Sequence, residues 1–111
     1  MSVQIEDQAG VKIVRPQGDL VGDDGGEFVE AVTNLLTGPG TRIVIDLGGV
    51  PFVNSTGLSE LVRVNSQANI QEARVILADP SPFVAGVLQT TRLDRFFEVC
   101  PSTAQAVEKL R

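Results

Sequence analysis

The residues best suited to chemistry form one short run, Val53-Asn54-Ser55-Thr56-Gly57-Leu58. Asn54 and Ser55 are both strong helix-capping types, since their side-chain oxygens accept a backbone N–H of a first turn. A serine placed there is exposed and lies at the positive end of a helix dipole. A phosphate added to it would meet free backbone N–H groups. The same four residues, Asn54 to Gly57, also make an ordinary cap and turn, so the surroundings must decide between the two readings. Ser55 as a hydrolytic nucleophile would need a base. The chain has no histidine, which excludes a Ser-His-Asp triad and any histidine-ligated metal. No motif joins Lys12 or Lys109 to the serine. Asp46, weighed as a metal ligand, is expected instead to end a buried strand and hydrogen-bond a local backbone group. Gly38-Pro39-Gly40 and Gly48-Gly49 match no phosphate-loop or dinucleotide pattern. No cofactor and no metal are expected.

The totals narrow the partners. At 111 residues the chain is one domain's worth, and 42% hydrophobic residues can build a core without staples. Its single cysteine, Cys100, can form no internal disulfide and is expected to be a small buried apolar residue. A lone thiol fits a reducing cytoplasm. A net charge of −5 argues against nucleic acid, which demands clustered Lys and Arg, and against anionic membranes. No apolar run approaches the ~20 residues of a spanning helix. The first eight residues alternate and contain acids, unlike a signal peptide. A cytoplasmic protein is the expectation, and nothing in the pattern demands a dimer, so a monomer is expected.

The elements that must hold the run follow from periodicity. Val3 to Gln8 alternates as a strand with one wet face, Ala9-Gly10 turns, and Val11 to Pro16 returns as a second strand. Pro16 should sit near a strand end or edge. Gly18 to Gly26 is a loop with three acids, Asp19, Asp23 and Asp24, and four glycines. Phe28, Ala31, Val32, Leu35 and Leu36 then make a helical stripe, capped by Asp24 or a neighbouring glycine and stopped at Thr37-Gly38-Pro39-Gly40. Arg42 to Leu47 is an apolar, β-branched run, the mark of a strand buried on both faces. A second helix is expected from about Ser55 to about Asn69, exposing Ser59, Arg63, Ser66 and Gln67. Arg74 to Ala78 is another buried strand. Ser81 as cap and Pro82 in the first turn open a third helix to Thr90. Phe96 to Val99 reads as a last strand, and Pro101 or Ser102 opens a final amphipathic helix. The order ββαβαβαβα implies right-handed crossovers and a mainly parallel sheet. Sites in such sheets lie beyond the carboxyl ends of strands, where Asn54 to Gly57 falls.

Arg42-Ile43-Val44-Ile45-Asp46-Leu47 followed by Val50-Pro51-Phe52-Val53-Asn54-Ser55-Thr56-Gly57-Leu58 resembles the STAS domain of bacterial anti-sigma factor antagonists. Gly18-Asp19-Leu20, Leu77-Ala78-Asp79-Pro80-Ser81-Pro82 and Thr91-Arg92-Leu93-Asp94-Arg95-Phe96-Phe97-Glu98-Val99 resemble further segments of that family, so the likeness runs nearly end to end. It implies an α/β, STAS-like fold over a single domain, 1–111: a mainly parallel central sheet, an N-terminal antiparallel hairpin and about four helices. In that family the turn usually reads Asp-Ser-Ser/Thr-Gly-Leu. Its first serine is phosphorylated by a partner that is both anti-sigma factor and serine kinase. The unphosphorylated form binds that partner and frees a sigma factor, and a metal-dependent serine phosphatase resets the cycle. The resemblance implies Ser55 as the phosphorylation site and Asn54, Thr56 and Gly57 as its loop. Asp23, Asp24, Ser59 and Arg63 are the candidate partner surface. Two residues depart from the family: Asn54 stands where Asp is usual, and Val21 stands where Asp often follows the Gly-acid-Leu signature. A scaffold role in a signalling or transport assembly, without phosphorylation, is the alternative. An enzyme or nucleotide-binding domain is the third reading.

Overall fold

A computed structural model describes residues 1–22 and 26–111. The elements are β1 (Ser2–Gln8), β2 (Val11–Gln17), α1 (Glu27–Thr33), β3 (Arg42–Asp46), α2 (Ser55–Ile70), β4 (Arg74–Ala78), α3 (Pro82–Thr90), a 3₁₀ turn (Leu93–Arg95), β5 (Glu98–Cys100) and α4 (Thr103–Leu110). The five strands lie in chain order, β1-β2-β3-β4-β5. The first pair is antiparallel and the rest are parallel. Ala9 (φ 56) and Gly10 (φ 81) close the hairpin with two positive φ values, the signature of a type I′ turn. Pro16 lies opposite Val3, beyond the last β2–β3 pair, Val14↔Ile45, so its missing N–H breaks no parallel ladder.

Alternation along the strands sorts the core into two clusters. Val14, Ile43, Ile45, Val75 and Leu77 meet Phe28 and Val32 of α1, Leu61, Val64 and Ala68 of α2, and Val84 and Leu88 of α3. On the other face Val11, Ile13, Val44, Ile76, Ala78 and Cys100 meet Ala106, Val107 and Leu110 of α4. Ile43, Val44 and Ile45 are all fully buried because both faces are covered, which is why the run is continuously apolar. Cys100, 7% exposed, is the small buried residue expected.

Three details differ from the periodicity. The α1 stripe runs to Leu36, but the helix ends at Thr33. The Leu35 and Leu36 amides bond the Val32 and Thr33 carbonyls in a tightened exit turn. Gly26, in the left-handed region, occupies the N-cap of α1 with no side-chain cap bond, while Asp24 lies outside the described residues. The last strand is Glu98–Cys100 rather than Phe96–Val99. Phe96 and Phe97 pack edge to face at 5.0 Å instead, and Phe97 enters the core. Strand β1 is wet on more than one face: Ile5 is 49% exposed, since the strand is an edge that α1 only partly covers.

Candidate functional site

The turn after β3 is built from the strand outward. Asp46, the last residue of β3, accepts the Gly48 amide at 2.9 Å through Oδ1 and pairs with Arg15 Nε at 3.1 Å through Oδ2. Both oxygens therefore serve the local backbone and the sheet. The segment 18–20 then runs beside 49–53. Gly18 N donates to Gly49 O at 2.9 Å, Leu20 N to Phe52 O at 3.0 Å, and Asn54 N to Leu20 O at 3.3 Å. Leu20 and Val53 form a parallel bridge. Two sequence segments more than thirty residues apart are thus stitched into one platform at the carboxyl end of the sheet.

Asn54 is the N-cap of α2, with extended backbone (φ −102, ψ −177) and its Oδ1 accepting the Gly57 amide at 2.8 Å. That settles the choice between the two capping types: Asn54 caps, and Ser55 becomes the first helical residue. Ser55 and Thr56 are both exposed. The Ser55 carbonyl accepts from Ser59 Oγ at 2.9 Å. Among the described residues the Ser55 hydroxyl itself has no hydrogen-bond partner. The first turn of α2 contains no acid of its own to offset the helix dipole. Gly57 is buried, and a side chain there would collide with the Leu20 carbonyl.

Ser59 and Arg63, expected on the exposed helix face, do lie there. With Gly22, Thr56 and Glu60 they line a shallow cavity of about 310 Å³. Gly22, at φ 75, approaches the Thr56 side chain so closely that a Cβ would strike it. Gly22 therefore lies directly over the helix start. Asp23 and Asp24 lie outside the described residues. Farther along, Gln67 is half-buried and accepts from the exposed Thr33 Oγ1 of α1 at 3.2 Å.

Sequence reasoning missed an aromatic pair. Phe52 and Phe83 stack with ring centroids 5.0 Å apart, yet remain 40% and 47% exposed. Each follows a proline just past a strand end, in Pro51-Phe52 and Pro82-Phe83, and that repetition was the available signal. The Ser81 cap behaves as expected: its Oγ accepts Val84 N at 3.3 Å, and it also donates to Val50 O at 3.0 Å. This second bond ties α3 to the same platform. No group of three or more His, Cys, Asp or Glu is arranged to hold a metal among the described residues.

With this geometry in hand, the family model for the STAS domain matches residues 2–106. A putative anti-sigma factor antagonist from Thermotoga maritima superposes with a TM-score of 0.88 at 23% identity, covering 98% of this chain and 94% of that one. An anti-sigma factor antagonist from Mycobacterium paratuberculosis gives 0.81 at 24% identity, over 99% and 93%. The murine Solute Carrier 26 family member A9 anion transporter gives 0.79 at 21% identity, where 95% of this chain covers 18% of that chain. At these identities the solved structures establish the fold.

Proposed function

The chain belongs to the STAS domain family, and from that premise we propose that it is an anti-sigma factor antagonist switched at Ser55. In this reading the unphosphorylated form binds an anti-sigma factor with serine kinase activity and so releases a sigma factor. Phosphorylation of Ser55 ends the binding, and a serine phosphatase restores it. The protein acts by occupying a partner rather than by turning over a substrate, as a cytoplasmic monomer of one domain, 1–111, without nucleic acid, membrane or cofactor.

The observation that carries the reading is the exposed, uncommitted Ser55 hydroxyl at the first position of α2. A kinase can reach it without unfolding anything. Once added, the phosphate brings about −1.5 to −2 charge at neutral pH. Within the molecule the α2 N-terminus offsets that charge, so the fold tolerates it. At an interface the same group must be desolvated beside a chain of net charge −5. A tenfold loss of affinity needs only about 1.4 kcal/mol. The switch therefore asks for no change of fold, only for a charge at the point of contact. Thr56, one residue on and equally exposed, is the competing acceptor.

A second reading, an interaction module that is never phosphorylated, is favoured by one residue. Asn54 supplies the capping oxygen that the family's usual Asp would supply, but without its charge. Site-mapped mass spectrometry of protein from its native host separates the two. Phosphate on Ser55 is the expected result, and an unmodified Ser55 across growth and stress conditions would overturn the switch. In binding assays with the cognate anti-sigma factor, Ser55→Ala should retain affinity and Ser55→Asp should lose about tenfold.

A further inference from the structure

At the opposite end of the strands, a cavity of about 370 Å³ lies between the β1–β2 turn and the α1–β3 connection. Its charged lining residues are Lys12 and Arg42; Asp7, just outside the lining, holds one donor of Lys12 Nζ at 2.6 Å and accepts the Gly10 amide at 3.2 Å, which leaves Lys12 two further donors. Thr37 and Thr41 also line it, with their hydroxyls bonded to each other at 3.3 Å and Thr41 Oγ1 donating to Gly38 O at 2.8 Å; Asn34 supplies an amide, and Gly10 and Gly40 bring backbone close. Lys12 shares its sheet face with Val14, and Arg42 shares the other with Val44, so the two cations leave the starting ends of β2 and β3 on opposite faces of the sheet.

Arg42 is the anomaly. Acids outnumber bases 14 to 9 in this chain. The other half-buried cations have carboxylate partners: Arg15 holds Glu6 and Asp46, and Lys12 holds Asp7. Arg42 is half-buried too, yet it forms no ion pair among the described residues. One nitrogen, Nη1, donates to Leu110 O at 2.8 Å, which closes the end of α4. Nη2 stands beside Gly10, where a Cβ would come within 3.1 Å of it. A planar guanidinium with donors left over and no carboxylate of its own, in a cavity that a lysine also lines, is an arrangement that recognises a phosphate.

We propose that this cavity is a phosphate-binding site, with Arg42 and Lys12 as the charged ligands and Asn34 as a neutral donor. It is separate from the Ser55 platform, which lies past the other end of β3, and does not depend on the switch reading.

The test is a titration of the full chain with inorganic phosphate at constant ionic strength, followed by amide chemical shifts. Saturable shifts at Gly10, Thr37, Gly40 and Thr41 are expected. Arg42→Gln and Lys12→Gln should each weaken binding at least about tenfold. Lys12→Gln leaves the Leu110 contact alone, so it remains decisive if Arg42→Gln unfolds. Shifts that fail to saturate, or that persist unchanged in Lys12→Gln, overturn the site. Competition by soluble glycerol phosphate would support a free phosphomonoester as the occupant. Competition by phosphatidic acid vesicles would support a lipid headgroup. Competition by neither overturns the proposal of a phosphate ligand.

Discussion

A single methyl group at Gly57 would drive a carbon into the Leu20 carbonyl, which is also the acceptor for Asn54 N. Nothing in the Gly57 backbone is left-handed, so the requirement is one of space and not of conformation. Gly57→Ala should therefore separate the 18–20 segment from the start of α2 and cost about 1–3 kcal/mol, the usual penalty of overpacking. Denaturant unfolding would read the loss. Unchanged stability would mean that the two segments can part at little cost. Gly57 was visible in the sequence as part of a motif, but its reason was not, because Leu20 lies 37 positions away. The capping of α2 was half legible for a similar cause. Asn54 and Ser55 both qualify by type, and only the extended φ and ψ of Asn54 select between them.

Among the elements, β5 shows where periodicity stops being informative. Phe96, Phe97, Glu98 and Val99 carry strand-forming residues, yet the chain enters them from a 3₁₀ turn capped by Arg92 at φ 61. The aromatic residues then go to packing, and pairing with β4 starts only at Glu98↔Ile76. Glu98 anchors this short edge by accepting from Arg74 at 2.8 Å and pairing with Lys109 of α4 at 2.8 Å. Burial raises its pKa, but the two cations together outweigh burial and hold the carboxyl below its ordinary 4.5. A carboxylate depressed in the folded state stabilises above its unfolded pKa, and that contribution fades as pH falls through the lowered value. Glu98→Gln should thus be less stable than the parent at pH 7, with the gap closing below about pH 4. Thermal melts across pH 3 to 7 would check it, and a gap that stays constant would assign the effect to packing. By contrast α3 was fully legible, since Ser81 and Pro82 are adjacent and the signal is local.

For the whole molecule, the division into two clusters leaves one face of the sheet, among the described residues, under α4 alone, an eight-residue helix. Cys100 sits beneath it with Leu110. Leu110→Ala should cost about 2 kcal/mol or more through the cavity it leaves. It should also raise the rate at which a thiol reagent modifies native Cys100 at least tenfold. Equal rates in the two proteins would show that the thiol is reached without α4 moving. The α/β class and the covering of both faces were readable from the apolar runs at Arg42–Leu47 and Arg74–Ala78, whereas the uneven helix cover was not, because sequence marks a buried face without naming what covers it. The strand order carries a separate consequence. Parallel sheets are ordinarily slow to assemble, since strands must find distant partners. Here each strand pairs with its immediate predecessor. On a ribosome the sheet can therefore grow from one edge to the other as the chain emerges, each strand meeting a partner already made, and α4 arrives last to seal the open side.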